Sequence, residues 1–128
     1  VVNLFGYTGC ASLVMAAAGA EVFHVDSSKG VLQWGQENQA LSKIAKDQVR
    51  WVQEDAQEFL RHSFKKKFTY DGILADPPSW GHGVKKEVWE FEKHIQLLVE
   101  LLHSVLHREN SFLFLSSHTH GVQPEALR

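Results

Sequence analysis

The chain has 128 residues, 44% of them hydrophobic, which suits one domain around a single core. Its net charge of −2, with histidines neutral, offers no global basic field, so a nucleic-acid partner must be held by a local patch or by other domains. One cysteine excludes an internal disulfide and fits a reducing, cytoplasmic setting, and no apolar run approaches the roughly 18 residues of a membrane span. The chain opens at Val1 inside an apolar run, shows no signal peptide, and has Met15 as its one methionine. It reads as a piece, with chain missing before residue 1 and after Arg128.

Residues 1–5, VVNLF, form a short apolar run stopped by Gly6, Thr8 and Gly9, as a buried strand entering a tight loop. The alanine-rich segment 10–19 is spaced for a helix, with Gly19 as its C-terminal cap. EVFHVD, 21–26, alternates and ends on an acid. The segment 27–43 opens with serine caps and sets Val31, Leu32, Trp34, Asn38 and Leu41 near one helical face. VRWVQED, 49–55, is a third strand. Residues 56–67 make an amphipathic helix whose Lys65, Lys66 and Lys67 suit the negative end of its dipole. YDGILAD, 70–76, is a fourth strand, 89–107 a long helix and SFLFLSS, 111–117, a fifth strand.

Strands and helices alternate throughout, and helical connections of this length imply parallel strands with right-handed crossovers. The expected fold is α/β: a doubly wound, Rossmann-like, mostly parallel sheet. Ligands in such sheets sit beyond the carboxyl ends of the strands, where strand order reverses. The first four strands end at Gly6, Asp26, Asp55 and Asp76. An acid after a strand is often only a helix cap. Three acids and a glycine loop on one edge make a site.

The loop FGYTGCAS lacks the third glycine of a dinucleotide fingerprint, and no G-K-S/T is present to cradle a triphosphate. An acid after the second strand suits ribose hydroxyls. Three carboxylates favour a ligand that carries a positive rather than a negative group. S-adenosylmethionine, a sulfonium joined to ribose and adenine, has that character. The rival readings are a catalytically silent adenosine-binding module and a nicotinamide-dependent oxidoreductase. Asp76-Pro77-Pro78 argues against the first and the missing glycine against the second.

The segments NLFGYTGCASL, HVDSSKGVLQWGQEN, VQEDAQEFL and ILADPPSWGHG occur in order along the chain. They resemble successive motifs of class I S-adenosylmethionine-dependent methyltransferases, and more narrowly of the ribosomal-RNA large-subunit methyltransferase-like group. The resemblance covers nearly the whole chain and implies one cofactor-binding domain over 1–128, with the final strands of a seven-stranded sheet beyond it. It implies that Phe5, Gly6, Tyr7, Thr8 and Gly9 line the methionine moiety. By the same resemblance Asp26 holds the ribose hydroxyls with Ser27 and Ser28 beside it, and Asp55 with Ala56 meets the adenine. The implied partner is RNA, ribosomal RNA first, reached in part through regions outside this piece.

Methyl transfer from a sulfonium needs the acceptor atom in line behind the methyl group and water excluded. Asp76 and the carbonyls of Pro77 and Pro78 offer hydrogen-bond acceptors to a base, and the two prolines stiffen that array. Ser79 and Trp80 follow on the substrate side, Trp80 with a face on which an extruded base would stack. Lys85, with Lys86 beside it, is placed for RNA phosphate at the rim, and His118 just past the fifth strand for a substrate contact. Covalent methylation of a pyrimidine carbon needs a thiolate. The fifth-strand exit reads Ser116, Ser117, His118, Thr119, His120, and the one cysteine, Cys10, lies on the donor side. A nitrogen or oxygen acceptor is therefore expected. His103 and His107 stand four apart on a helix, but no glutamate follows His103 as the zinc-protease motif requires, so no metal is expected.

Overall fold

A computed structural model describes residues 1–82 and 88–119. Five parallel strands run in the order β3-β2-β1-β4-β7: Val49–Gln53, Val22–Asp26, Val2–Leu4, Gly72–Ala75 and Phe112–Leu115. From β1 the chain winds outward through β2 and β3, then returns to place β4 on the other side of β1. Strand order therefore reverses between β1 and β4, and the doubly wound α/β architecture expected from the element order is the one observed.

β1 lies at the centre and is buried along its length, which is why it reads as a near-continuous apolar run. Val2 and Leu4 point to one face of the sheet, where helices α3 (Ala56–Lys65) and α4 (Phe91–Val105) close the larger core with Phe59, Leu60, Leu98 and Leu102. The other face carries α1 (Cys10–Ala17) and α2 (Lys29–Leu41) over a smaller core of Leu13, Ala16, Val22 and Val49. A short 3₁₀ turn, Lys46–Gln48, leads into β3.

Two expectations need correction. On α2 the buried positions are Leu32, Gly35 and Gln39, while Trp34 and Leu41 are exposed. The helix lies over β2 and β3 and needs a small residue at closest approach. A Cβ on Gly35 would meet the Trp51 ring. The second correction concerns the start of the long helix. Residues 88–90 belong to a strand, β6 (Val88–Glu90), which pairs antiparallel with β5 (Trp80–His82), and α4 begins only at Phe91. Trp89 is thereby turned inward, its ring 5.4 Å from that of Phe5 and its Nε1 donating to the Pro78 carbonyl at 2.7 Å. Among the described residues no helix is long and apolar enough to cross a membrane.

Candidate active site

The loop after β1 is held from beneath by a buried polar chain. Asn3 Nδ2 donates to Ser12 Oγ at 2.9 Å, and Ser12 Oγ lies 2.8 Å from His24 Nδ1. His24 Nε2 lies 3.1 Å from the Tyr7 carbonyl. A carbonyl only accepts, so Nε2 carries the proton and Nδ1 accepts from the serine, which fixes a neutral tautomer. His24 is fully buried, and burial lowers its pKa from 6.5 to about 4 against the opposing pull of Asp26 and the Tyr7 carbonyl. Its ring rests 4.3 Å from that of Trp51.

Both loop glycines answer to this packing. A Cβ on Gly6 would strike the His24 ring. One on Gly9 would lie 2.7 Å from Trp51, on a backbone at φ +90°. Phe5 and Tyr7 are themselves left-handed, at φ 57° and 50°. The strain is held by fixed partners: Tyr7 N donates to Asp26 Oδ2 at 3.0 Å, and Asn38 Nδ2 donates to the Thr8 carbonyl at 3.0 Å. The tryptophan-to-asparagine spacing in the second motif thus acquires a reason. It sets Asn38 one turn beyond Trp34, facing the loop.

Asp26 ends β2 and accepts from two backbone amides, Tyr7 N on Oδ2 and Ser28 N on Oδ1. Ser28 stands at the N-cap of α2 but makes no side-chain cap bond, contrary to the serine-cap expectation; its backbone amide instead donates to Asp26. Ser27 Oγ reaches the His82 carbonyl at 3.4 Å. Asp55 caps α3: its Oδ1 accepts from Gln57 N at 2.9 Å and Glu58 N at 3.1 Å. The capping role weighed for such acids is therefore real at this position.

Asp76 leaves β4 at the reversal point. Ser116 Oγ and His118 Nε2 both donate to its Oδ1, the latter at 2.9 Å. Sequence position sets His118 just past the fifth strand but carries no sign of its contact with Asp76. That contact depends on β7 pairing beside β4, with Ser116 N bonded to the Ala75 carbonyl. Pro77 is fully buried, and one acceptor position of the Pro78 carbonyl is taken by Trp89. Ser79 Oγ lies 2.9 Å from Thr119 Oγ1. Trp80 is exposed and packs edge-on against His82 at 4.5 Å. Lys85, Lys86 and His120 lie outside the described residues.

A cavity of about 400 Å³ joins these positions, lined by Phe5, Asp26, Ala56, Asp76, Pro78 and His118 among others. Asp55 and Glu54 complete its acidic lining, and among the described residues no lysine or arginine contributes to it. Glu54 precedes the motif aspartate and carries no signal in the sequence that marks it as lining the site. Its carboxylate pairs with His62 at 2.7 Å. A second cavity, about 380 Å³, adjoins the first through Phe5, Tyr7, Asp76 and His118, and reaches Gly9 and Cys10 under the loop. Among the described residues no three His, Cys, Asp or Glu side chains gather as metal ligands.

The family model described as RNA cap guanine-N2 methyltransferase matches residues 1–121. The chain belongs to this family. Among curated relatives, the ribosomal RNA large subunit methyltransferase K/L of Pseudoalteromonas translucida is 38% identical over 99 residues. The match takes in 75% of this chain but 14% of that protein. The crystal structure of a SAM-dependent methyltransferase from Agrobacterium tumefaciens superposes with a TM-score of 0.87 at 44% identity, over 92% of this chain and 39% of that one. At the level of fold alone, magnesium protoporphyrin IX methyltransferase from Synechocystis PCC 6803, with bound SAM, gives a TM-score of 0.66 at 18% identity, over 89% of this chain and 46% of that one. The fold is that of class I S-adenosylmethionine-dependent methyltransferases, related to the large-subunit K/L group.

Proposed function

We propose that this chain is the cofactor-binding core of an enzyme that transfers a methyl group from S-adenosylmethionine to a base of RNA, ribosomal RNA first. One observation carries the reading: a cavity at the reversal of strand order, lined by four carboxylates and, among the described residues, by no lysine or arginine. That donor set suits sugar hydroxyls and a positive ligand, and it disfavours the phosphates of a dinucleotide. When bound, S-adenosylmethionine supplies an electrophilic methyl on a sulfonium.

The chain's own residues have the remaining tasks. Asp26, held square by two backbone amides, is the acceptor for the ribose hydroxyls, with Ser27 and Ser28 at its shoulder. Ala56 N, at the start of α3, and Asp55 face the adenine edge, and the strained loop Phe5–Gly9 lies along the methionine part. Asp76 stands where the two cavities meet, as the group that orients the acceptor. Its Oδ1 is engaged by Ser116 and His118, and Oδ2 has no partner among the described residues, so one oxygen is free for an amino group of the base. An exocyclic nitrogen acceptor agrees with the family description, with the name of the K/L relatives as acting on ribosomal RNA, and with a fifth-strand exit that carries no thiol.

The test is a calorimetric titration of the full chain with S-adenosylhomocysteine and, separately, with NAD, followed by transfer of labelled methyl to ribosomal RNA. Binding of the homocysteine analogue alone, with label in RNA, is the expected outcome. Preferential NAD binding rejects the cofactor; cofactor binding with no label in any RNA rejects the substrate.

A further inference from the structure

On the amino edge of the sheet, away from the acidic cavity, a cleft of about 590 Å³ opens between the C-terminal ends of α3 and α4. Its lining includes Lys67, Arg108, His103 and His107 with the rings of Phe64 and Phe68, and among the described residues contains no aspartate or glutamate. In a chain of net charge −2, cations gathered without an acid run against the overall balance. Phe64 and Phe68 are each 57% exposed, an unusual placement for two large rings beside one lysine.

The walls are fixed by backbone. Tyr70 N donates to the Val105 carbonyl at 2.9 Å, and His107 N donates to the Tyr70 carbonyl at 2.9 Å, forming an isolated parallel bridge between the two walls. Lys67, two residues past the end of α3, lies in the left-handed region at φ 58°, with Lys67 N bonded to the Phe64 carbonyl and Phe68 N to the Ser63 carbonyl. This double closure sets Lys67 between Phe64 and Phe68 along the chain, at a position where glycine is the unstrained residue.

We propose that this cleft binds a short run of single-stranded RNA, with phosphates on Lys67 and Arg108 and bases stacked on Phe64 and Phe68. It rests on the reading of this chain as an RNA methyltransferase, and adds to it a second contact remote from the acceptor base. Exposed rings alternating with cations match unpaired nucleotides, which offer both base faces and phosphates. A duplex hides its base faces within the stack. The cleft lies at the opposite ends of the strands from Asp76, so it contributes to RNA affinity and leaves the transfer step alone.

The experiment measures anisotropy of a labelled oligouridylate of about a dozen nucleotides with the full chain over a range of salt concentrations. Lys67→Gly with Arg108→Gln is expected to weaken binding about tenfold at low salt and to flatten the slope of log K against log salt by about 1.4, two phosphate contacts at about 0.7 each. Phe68→Ala is expected to weaken it about tenfold again. Glycine at 67 relaxes the left-handed turn, so lost binding there does not stem from unfolding. For methyl transfer, KM for RNA rises in these variants while kcat and S-adenosylhomocysteine affinity hold. Unchanged RNA affinity in variants that still methylate overturns the cleft and leaves the methyltransferase reading standing. An equal loss for a fully paired RNA overturns the stacking. Oligouridylate binding that follows these substitutions in a chain that binds no S-adenosylhomocysteine supports the cleft and removes the cofactor reading.

Discussion

The loops that leave the two central strands, β1 and β4, meet in one site but are supported in opposite ways. The loop after β1 is held by polar groups: buried His24 holds the Tyr7 carbonyl, part-exposed Asp26 holds the Tyr7 amide, and Gly6 and Gly9 admit the rings below. The segment after β4 is braced by apolar and ring contacts: Pro77 is buried, and Trp89 is wedged between Phe5 and the Pro78 carbonyl. Its carboxylate Asp76 is exposed and steadied by two side chains from just past the carboxyl end of β7. The first loop is fixed at Tyr7 and Thr8 by hydrogen bonds from His24, to Asp26 and from Asn38. An exposed carboxylate held by Ser116 and His118 is free to engage an incoming acceptor. On the proposed function, cofactor affinity falls to the first loop and turnover to the second.

The largest expected effect falls on the second. Asp76→Ala in the full chain should lower the rate of methyl transfer by about a hundredfold or more while S-adenosylhomocysteine affinity changes little, because small misplacement of an acceptor is costly in rate. Single-turnover transfer beside calorimetry checks it. A comparable loss in both would erase the division of labour between the loops.

Next is the pH dependence that His24 confers. Its folded pKa of about 4 lies below the unfolded value of 6.5, so between these the unfolded chain binds more protons. The stability contributed by keeping His24 neutral is complete above about pH 7 and drains away as pH falls from 6.5 toward 4, to a limit of about 3 kcal/mol. Urea unfolding across this window should show the slope in the parent and a flatter profile in His24→Gln. A parallel decline in both would assign the slope to other groups and leave the donor loop without its buried anchor.

The smallest is Asp26→Ala, which removes a charge-assisted partner worth about 1.5–3 kcal/mol and so should weaken S-adenosylhomocysteine about tenfold or more. Titration of a variant shown to be folded by its unfolding midpoint reads it directly. Full affinity would detach this acid from the ribose and leave it as a brace for Tyr7 alone.

Much of the layout was legible from residues. Short β-rich runs, alanine- and leucine-rich helices and the acids after the strands follow from local backbone preference and from hydrophobic period, both of which act within a few residues. The same locality explains the misses. Period alone set Trp34 and Leu41 on the buried face of α2, whereas the buried stripe is chosen by where β2 and β3 lie beneath it. Two tryptophans nine positions apart, Trp80 and Trp89, are equivalent to any reading of composition. Only the antiparallel pairing of β5 with β6 turns Trp89 inward and leaves Trp80 in solvent.

What the sequence by itself determined is the alternation of strand and helix, the glycine loop and the line of carboxylates that follows the strands. Each is a property of neighbours in the chain. What tertiary structure decided is every pairing across distance. Strand order reverses between β1 and β4, His24 is sealed under the loop it holds, and Ser116 and His118 close on Asp76 from some 40 residues away. The physical reason is that a hydrogen bond or a packed ring is specified by position in space. Residues as ordinary as a serine and a histidine carry no mark of their partner until the sheet brings β7 beside β4.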